Sequence, residues 1–376
     1  MRLTDTRFGK VVICGVLVFG TSILRAEAPK ISGFVDTTYN YDLNRPQSRV
    51  TAMRSFDRRT DSFLLNAAQV NIEGTSGDVG YYTELAFGTD PSVYKAGGTG
   101  ADAGLPGAPT TVAYNFDLQE AFITYKCPKT GIQLKVGKFV TFEGIEVIES
   151  KDNFTITRGH IFGLAEPYTH VGALAGYAFP KIVDLWVGVV NGWDLYTDNN
   201  TGKTLLAKLG LNFGDKISGS VSMTHGPEKN NNTNDARTSV DTTWFVKPAP
   251  KLTVGLQANT GIEDNTNIAD RNGDGIPDGG AGHWYGLGIQ PKYDFNDKYF
   301  VGARYEWFSD LDGARSGTVH VHQNFTVSPG MNISKELMFR TEFRTNWASA
   351  NVYEASDGTF SKSAESSVSA EFIYKF

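Results

Sequence analysis

VSAEFIYKF, residues 368 to 376, ends the chain with Val368, Ala370, Phe372, Tyr374 and the terminal Phe376 on one side of an extended backbone and Ser369, Glu371, Ile373 and Lys375 on the other. Successive side chains of a strand point to opposite faces, so this segment has one almost wholly apolar face and one mostly polar face. Apolar toward lipid and polar toward water is what a transmembrane β-barrel requires. A soluble sandwich could end the same way, so the rest of the chain has to decide.

The amino terminus points to export. Met1 to Lys10 carries Arg2, Arg7 and Lys10, and Val11 to Leu24 is an apolar run of fourteen residues. At about 1.5 Å per residue the run falls short of a roughly 30 Å hydrocarbon core, so residues 1–28 read as a signal peptide cleaved near Ala26 or Ala28. Residues 29–376 are then the mature domain. Removing Arg2, Arg7, Lys10, Arg25, Asp5 and Glu27 leaves 31 basic and 39 acidic residues, a net charge of −8. A mildly acidic chain lacks the basic face of a nucleic-acid binder. Only Cys127 survives processing, which excludes an intramolecular disulfide. No mature segment approaches eighteen consecutive apolar residues, so a membrane location implies strands.

The alternation recurs almost from end to end, in sixteen segments of about nine to eleven residues. The clearer lipid faces are Ile31/Val35/Tyr39, Val79/Tyr81/Leu85/Phe87, Ala121/Ile123/Tyr125, Leu205/Ala207/Leu209/Leu211/Phe213, Val240/Trp244/Val246, Tyr299/Val301/Ala303/Tyr305/Trp307, Val319/Val321/Phe325/Val327 and Leu337/Phe339/Phe343. Between them fall Asp36, Glu84, Glu120, Lys135, Asp241, Lys247, Arg304, Glu306, His320, His322, Arg340, Glu342, Arg344 and Glu371. Turning so many aromatics inward would need a core larger than the chain supplies, so the pattern favours an apolar exterior and a wet lumen.

Connection lengths alternate as well. Short turns fall at 74–78, 128–131, 179–181, 214–216, 248–250, 296–298 and 329–332; longer links fall near 42–61, 89–116, 141–167, 193–202, 226–237, 261–282, 308–316 and 346–365. This is the plan of an all-β, antiparallel up-and-down barrel of about sixteen strands, with short periplasmic turns and long external loops. Sixteen strands leave room for an aqueous channel.

The link from Thr141 to Pro167 is too apolar for a solvated loop. Ile145, Val147, Ile148, Phe154, Ile156, Ile161 and Phe162 can pack it against the inner wall. Glu143, Glu146, Glu149 and Asp152 would then face Lys135, Arg304, Arg340 and Arg344 across the lumen, a constriction with a transverse field. The competing reading is an external loop with solvated acids.

Several stretches resemble the β-barrel porin-2 family of outer-membrane proteins, OmpL-like: residues 31–46, Arg54-Ser55-Phe56-Asp57, 63–74, 135–162, 166–177 and 189–204. They cover about the first half of the mature chain. Gly137-Lys138-Phe139, Glu143-Gly144-Ile145-Glu146, Asn153 to Arg158 and Asn191-Gly192-Trp193-Asp194 are the most specific. The resemblance implies a porin-type channel, and assembly by a barrel-insertion machinery reading the Tyr374 and Phe376 end.

Asp270-Arg-Asn272-Gly-Asp274-Gly275-Ile-Pro-Asp278 places oxygen ligands at positions 1, 3, 5 and 9, with glycine at 6, as a calcium loop does. Ala281 stands where the bidentate glutamate of an EF-hand would be, so either a calcium site or an acidic Asp-Gly turn fits; no cofactor is otherwise required. His320 and His322 share an inward strand face and read as plain lumen residues. No nucleophile elbow, P-loop or zinc-protease motif is present.

The expectation is a bacterial outer-membrane channel that contacts lipid and passes small hydrophilic solutes or ions. A homotrimer is left open. The alternative is a surface-binding or adhesion barrel with calcium-stabilised loops and a closed lumen, and an enzyme is a distant third. Solute flux separates the first from the other two.

Overall fold

The computed structural model describes residues 28–95, 114–179 and 182–376. The signal segment, apart from its last residue, lies outside them. Sixteen strands follow one another: β1 (Lys30–Asp42), β2 (Ser62–Ser76), β3 (Val79–Gly88), β4 (Asn115–Lys126), β5 (Gln133–Val140), β6 (Thr169–Phe179), β7 (Val183–Val190) and β8 (Thr204–Asn212) form the first half. The second half is β9 (Ile217–Pro227), β10 (Ala236–Ala249), β11 (Leu252–Glu263), β12 (Gly282–Asp294), β13 (Tyr299–Asp310), β14 (His320–Asn332), β15 (Leu337–Ala348) and β16 (Ala364–Lys375). Each pairs antiparallel with the next, and β1 pairs with β16 to close the barrel. Closure satisfies every strand edge, which an apolar surroundings demands.

The period-two pattern fixes which way each side chain points. Ile31, Phe87, Ile123, Phe372 and Tyr374 lie exposed on the outside, while Asp36, Arg304, Glu306, Arg340, Glu342, Arg344 and Glu371 are buried inside. Phe179, Phe213, Phe295, Tyr299 and Phe376, beside the short turns, are exposed aromatics at one end of the barrel, as in the girdle at a membrane interface.

The seam explains the aromatic terminus. Gly33 and Phe376 exchange two backbone hydrogen bonds of 3.0 Å. The Phe376 ring lies over Gly33, where an added Cβ would come within 2.5 Å of Cζ. Deleting Phe376 removes both bonds and the ring cover. A several-fold fall in the heat-modifiable, folded fraction recovered from outer membranes is expected; an unchanged fraction would show that the seam closes without it.

Three turns differ from the sequence reading, the first because Gly74 to Ser76 lie within β2 and leave only residues 77–78 as the turn. Pro329 to Asn332 lie within β14, and residues 333–336 make the turn. Proline is tolerated in a strand where no ladder hydrogen bond needs its missing N–H, and Gly330 leaves room for the Phe300 ring. Likewise β10 runs through Pro248 to Ala249, with a register irregularity after Val246.

The eight long connections start and end at the other end of the barrel: L1 (43–61), L2 (89–114, described at 89–95 and 114), L3 (141–168), L4 (191–203), L5 (228–235), L6 (264–281), L7 (311–319) and L8 (349–363). L1 and L3 turn back into the barrel.

Candidate functional site: loops folded into the lumen

L3 lacks regular hydrogen bonding over most of its length, so its backbone needs other partners before it can be buried. The wall of β13, β15 and β16 supplies them. Arg340 donates to the carbonyls of Ser150 and Asn153, both at 2.8 Å, and its Nε donates to Glu371 at 2.6 Å. Arg344 donates to the Arg158 carbonyl at 2.6 Å. Arg304 pairs with Glu146 at 2.6 Å and donates to Thr155 Oγ1 at 2.9 Å. In return, Glu342 accepts from Ile156 N at 2.6 Å and Glu306 from His160 N at 2.8 Å.

Packing completes the attachment. The wall of β11 to β13 carries inward glycines where the loop presses closest. Ile145 packs on Gly255, Ile161 on Gly286 and the Phe154 backbone on Gly302. Phe162, Tyr168 and Ile148 of L3 join Phe56 of L1 and Val93 and Tyr94 of L2 in one apolar cluster. Ile161, Leu164 and Ala165 form another with Trp193, Trp284 and Phe308.

Arg158 ties three loops together. Its guanidinium lies 4.5 Å over the Phe56 ring and pairs with Asp57 of L1 at 3.4 Å and Asp90 of L2 at 3.0 Å. Burial disfavours this charge, but Asp90 and Asp57 outweigh it and hold the guanidinium above its ordinary value. Burial pushes Asp90 up to about 8 despite Arg158. The residues Arg54 to Asp57 and Asn153 to Arg158, far apart in sequence, thus meet. Arg54 itself pairs with Glu365 at 3.1 Å.

The transverse field needs correction. Arg304, Arg340 and Arg344 are 0–1% exposed beneath L3, where they hold the loop rather than line open lumen. Irregular buried carbonyls take the guanidinium donors that the charge pattern alone assigned to a pore wall. Lys135 lies 4.2 Å over the Phe122 ring, away from that group. Glu146 is committed to Arg304.

The other face of L3 borders a cavity of about 330 Å³ lined by Glu143, Glu146, Glu149 and Asp152 from the loop and by Glu84, Glu120 and Lys208 from the wall. Glu143 is buried, accepts from Ser239 at 2.7 Å, and is pushed up to about 8 by burial and then by Asp241. Glu149 accepts from Gln119, and Asp152 pairs with Lys151. Glu84, Glu120, Lys151 and Lys208 complete a lining that the sequence reading left out. For Glu84 and Glu120 the inward parity was visible, but their position opposite L3 was not.

L1 shows the same signal as L3. Val50, Ala52, Met53 and Phe56 are too apolar for a solvated link, and all four are buried.

The histidines and the calcium-like loop resolve differently. His160 of L3 stacks on His322 with centroids 4.5 Å apart, and His320 meets His322 edge-on at 3.9 Å. Burial and then His322 push His160 below its ordinary range. In L6, Asp270 accepts from its own loop amides at Gly273 and Gly275, at 2.8 and 2.7 Å. Asn272 donates to Asp274 at 3.1 Å, and Asp278 pairs with Arg271 at 2.9 Å. Among the described residues, no group of three or more His, Cys, Asp or Glu is placed to hold a metal ion. The turn thus satisfies its carboxylates internally.

A closed sixteen-strand barrel with an apolar belt and loops folded into a polar lumen defines an outer-membrane porin, a channel for passive diffusion. The chain belongs to the family described as Putative beta-barrel porin-2, OmpL-like, whose model matches residues 29–376. Its place is the bacterial outer membrane. Among solved structures, the outer membrane channel DcaP of Acinetobacter baumannii is similar at 12% identity and a TM-score of 0.60, covering 93% of this chain and 97% of that one. The anion-selective porin from Comamonas acidovorans is similar at 10% identity and 0.59, covering 93% and 99%. The trimer form of OmpT from Vibrio cholerae is similar at 10% identity and 0.57, with the same coverage. These likenesses show the fold. No curated protein is significantly similar in sequence.

Proposed function

We propose that residues 141–167 form the constriction of a water-filled channel for small hydrophilic solutes, and that the constriction favours cations. The observation that carries this reading is the acid-rich cavity beside L3. Six acidic residues, Glu84, Glu120, Glu143, Glu146, Glu149 and Asp152, line it beside Lys151 and Lys208, and of these Glu146 is neutralised by Arg304 while the Glu143 carboxyl is turned to Ser239. Likeness in fold to an anion-selective porin carries no charge preference at this level of identity; the lining residues decide it.

One unit charge about 5 Å from a passing ion contributes about 1 kcal/mol in bulk water and about 3 kcal/mol at an effective dielectric constant of 20. Glu149 and Asp152 make no ion pair with the arginine clamp, so they can be neutralised without freeing the loop. The double variant Glu149→Gln, Asp152→Asn is expected to lower the cation-to-anion permeability ratio several-fold in a planar bilayer under a salt gradient. A reversal potential equal to that of the parent would remove this face of L3 from the ion path. Delivery by the barrel-insertion machinery and association into homotrimers belong to the same proposal, the latter supported by the described trimer form of a similar fold.

A further inference from the structure

We propose that the cavity between L3 and the wall of β2 to β4 is a binding site for small organic cations carrying a primary ammonium or guanidinium group. The inference rests on the channel reading, because the lumen is the route to the cavity. Its core is a carboxylate that the protein leaves incompletely partnered. Glu84 is 2% exposed; one oxygen accepts from the Tyr82 hydroxyl at 2.6 Å, Oε1 meets no donor among the described residues, and the Glu149 carboxyl lies within reach of the same group. Its charged neighbours include Glu149 and Glu120, of the same sign. Glu143, on the loop side of the same cavity, turns its carboxyl to Ser239 of β10, so Glu84 is the group on the β2 to β4 side that stays unpaired. A buried acceptor without a donor is costly, and a buried carboxylate without a cation more so.

Among the described residues, the arginines of the lumen are committed to the loop attachment, and the lysines at the cavity rest on rings or on other carboxylates than Glu84. Arg158, Arg304, Arg340 and Arg344 are engaged in the loop attachment. Lys151 pairs with Asp152, and Lys208 lies 5.4 Å over the Phe142 ring. Lys135 neighbours Glu120 and covers Phe122. A cation from solution supplies what Glu84 lacks.

The lining selects an organic cation over a bare metal ion. Tyr82, Phe142, Phe162, Tyr168, Val147 and Ile148 border the cavity beside the carboxylates. Among the described residues, no group of carboxylates is arranged to hold a metal. Ammonium groups already rest on rings in this lumen, Lys135 on Phe122 and Lys208 on Phe142. A volume of about 330 Å³ lies at the small end of ligand sites, which fits a diamine or a molecule of amino-acid size.

The test is calorimetric titration of the full-length mature barrel, folded in detergent as judged by heat-dependent gel mobility. The probe is 1,4-diaminobutane, compared with 1,4-butanediol and with potassium chloride at matched ionic strength. Saturable binding of the diamine alone is expected, weakened at least tenfold by Glu84→Gln and by Glu149→Gln and unchanged by Glu336→Gln in a periplasmic turn. Equal binding of the diol, equal competition by potassium, or diamine binding unaffected by both lumen variants would overturn the proposal. A barrel that binds the diamine but passes no current would sink the channel reading and leave the site standing; a barrel that conducts but shows no saturable binding would do the reverse.

Discussion

Replacing Arg158 by alanine is expected to free L3 from L1 and L2 while the barrel itself remains folded. The guanidinium is shared by Asp57 and Asp90, and all three side chains are buried. Alanine leaves two carboxylates in a poorly solvated place without their cation, and breaking a buried pair in this way costs about 3 to 5 kcal/mol. The ring contact with Phe56 is lost as well. The docked population should therefore shift toward undocked by roughly two to three and a half orders of magnitude. Strand pairing does not depend on this residue, so heat-dependent gel mobility should persist. Larger and noisier conductance steps, together with new trypsin cleavage at Lys151, would be observed. Conductance and protection equal to the parent would show that the clamp of Arg304, Arg340 and Arg344 holds L3 unaided.

Gly302→Val should displace the same loop by a different force. Gly302 faces inward on β13, and any Cβ there would overlap the Phe154 carbonyl oxygen and lie 2.7 Å from its carbon. The obstacle is backbone, so a side-chain rotation cannot relieve it. Phe154 must leave the wall, and the hydrogen bonds from Arg340 to the Asn153 carbonyl and from Ile156 N to Glu342, on either side of it, stretch with it. A several-fold rise in mean conductance is expected with strand pairing retained. Ala303→Val, one residue on and facing lipid, is the control and should leave the current as it was. A Gly302→Val channel that conducts like the control would mean that L3 has a second resting place in the lumen.

Much of this molecule was legible from residue patterns. The faces read from Ile31, Val79, Ile123 and Phe372 point outward as their parity requires, and interleaved polar positions such as Asp36, Asp241, Arg304, His320, Glu342 and Glu371 are buried inside. The alternation of short and long connections located every loop, and the apolar content of residues 141–167 marked the loop that folds in. Legibility failed where a residue type served two purposes. Pro329-Gly330 has turn composition, yet it sits in β14, where the proline needs no N–H and the glycine makes room for Phe300. Arg304, Arg340 and Arg344 have the composition of a charged pore wall, yet their donors go to loop carbonyls. L1 carries the same apolar signal as L3 in Val50, Met53 and Phe56, yet its place among the long links marks it as external.

The sequence by itself determined a membrane barrel, its strand number, its inside and outside, and its long and short ends. Each of these follows from a period of two set against a boundary between lipid and water, information contained within about ten residues at a time. Tertiary structure alone decided that Arg158 meets Asp57 and Asp90, that glycines of β11 to β13 form the bed of L3, and that Glu84 of the wall meets Glu149 of L3 beside a cavity. Those contacts join segments tens to hundreds of residues apart. Closure of the barrel brings them together, and no local period records which loop will lie over which wall.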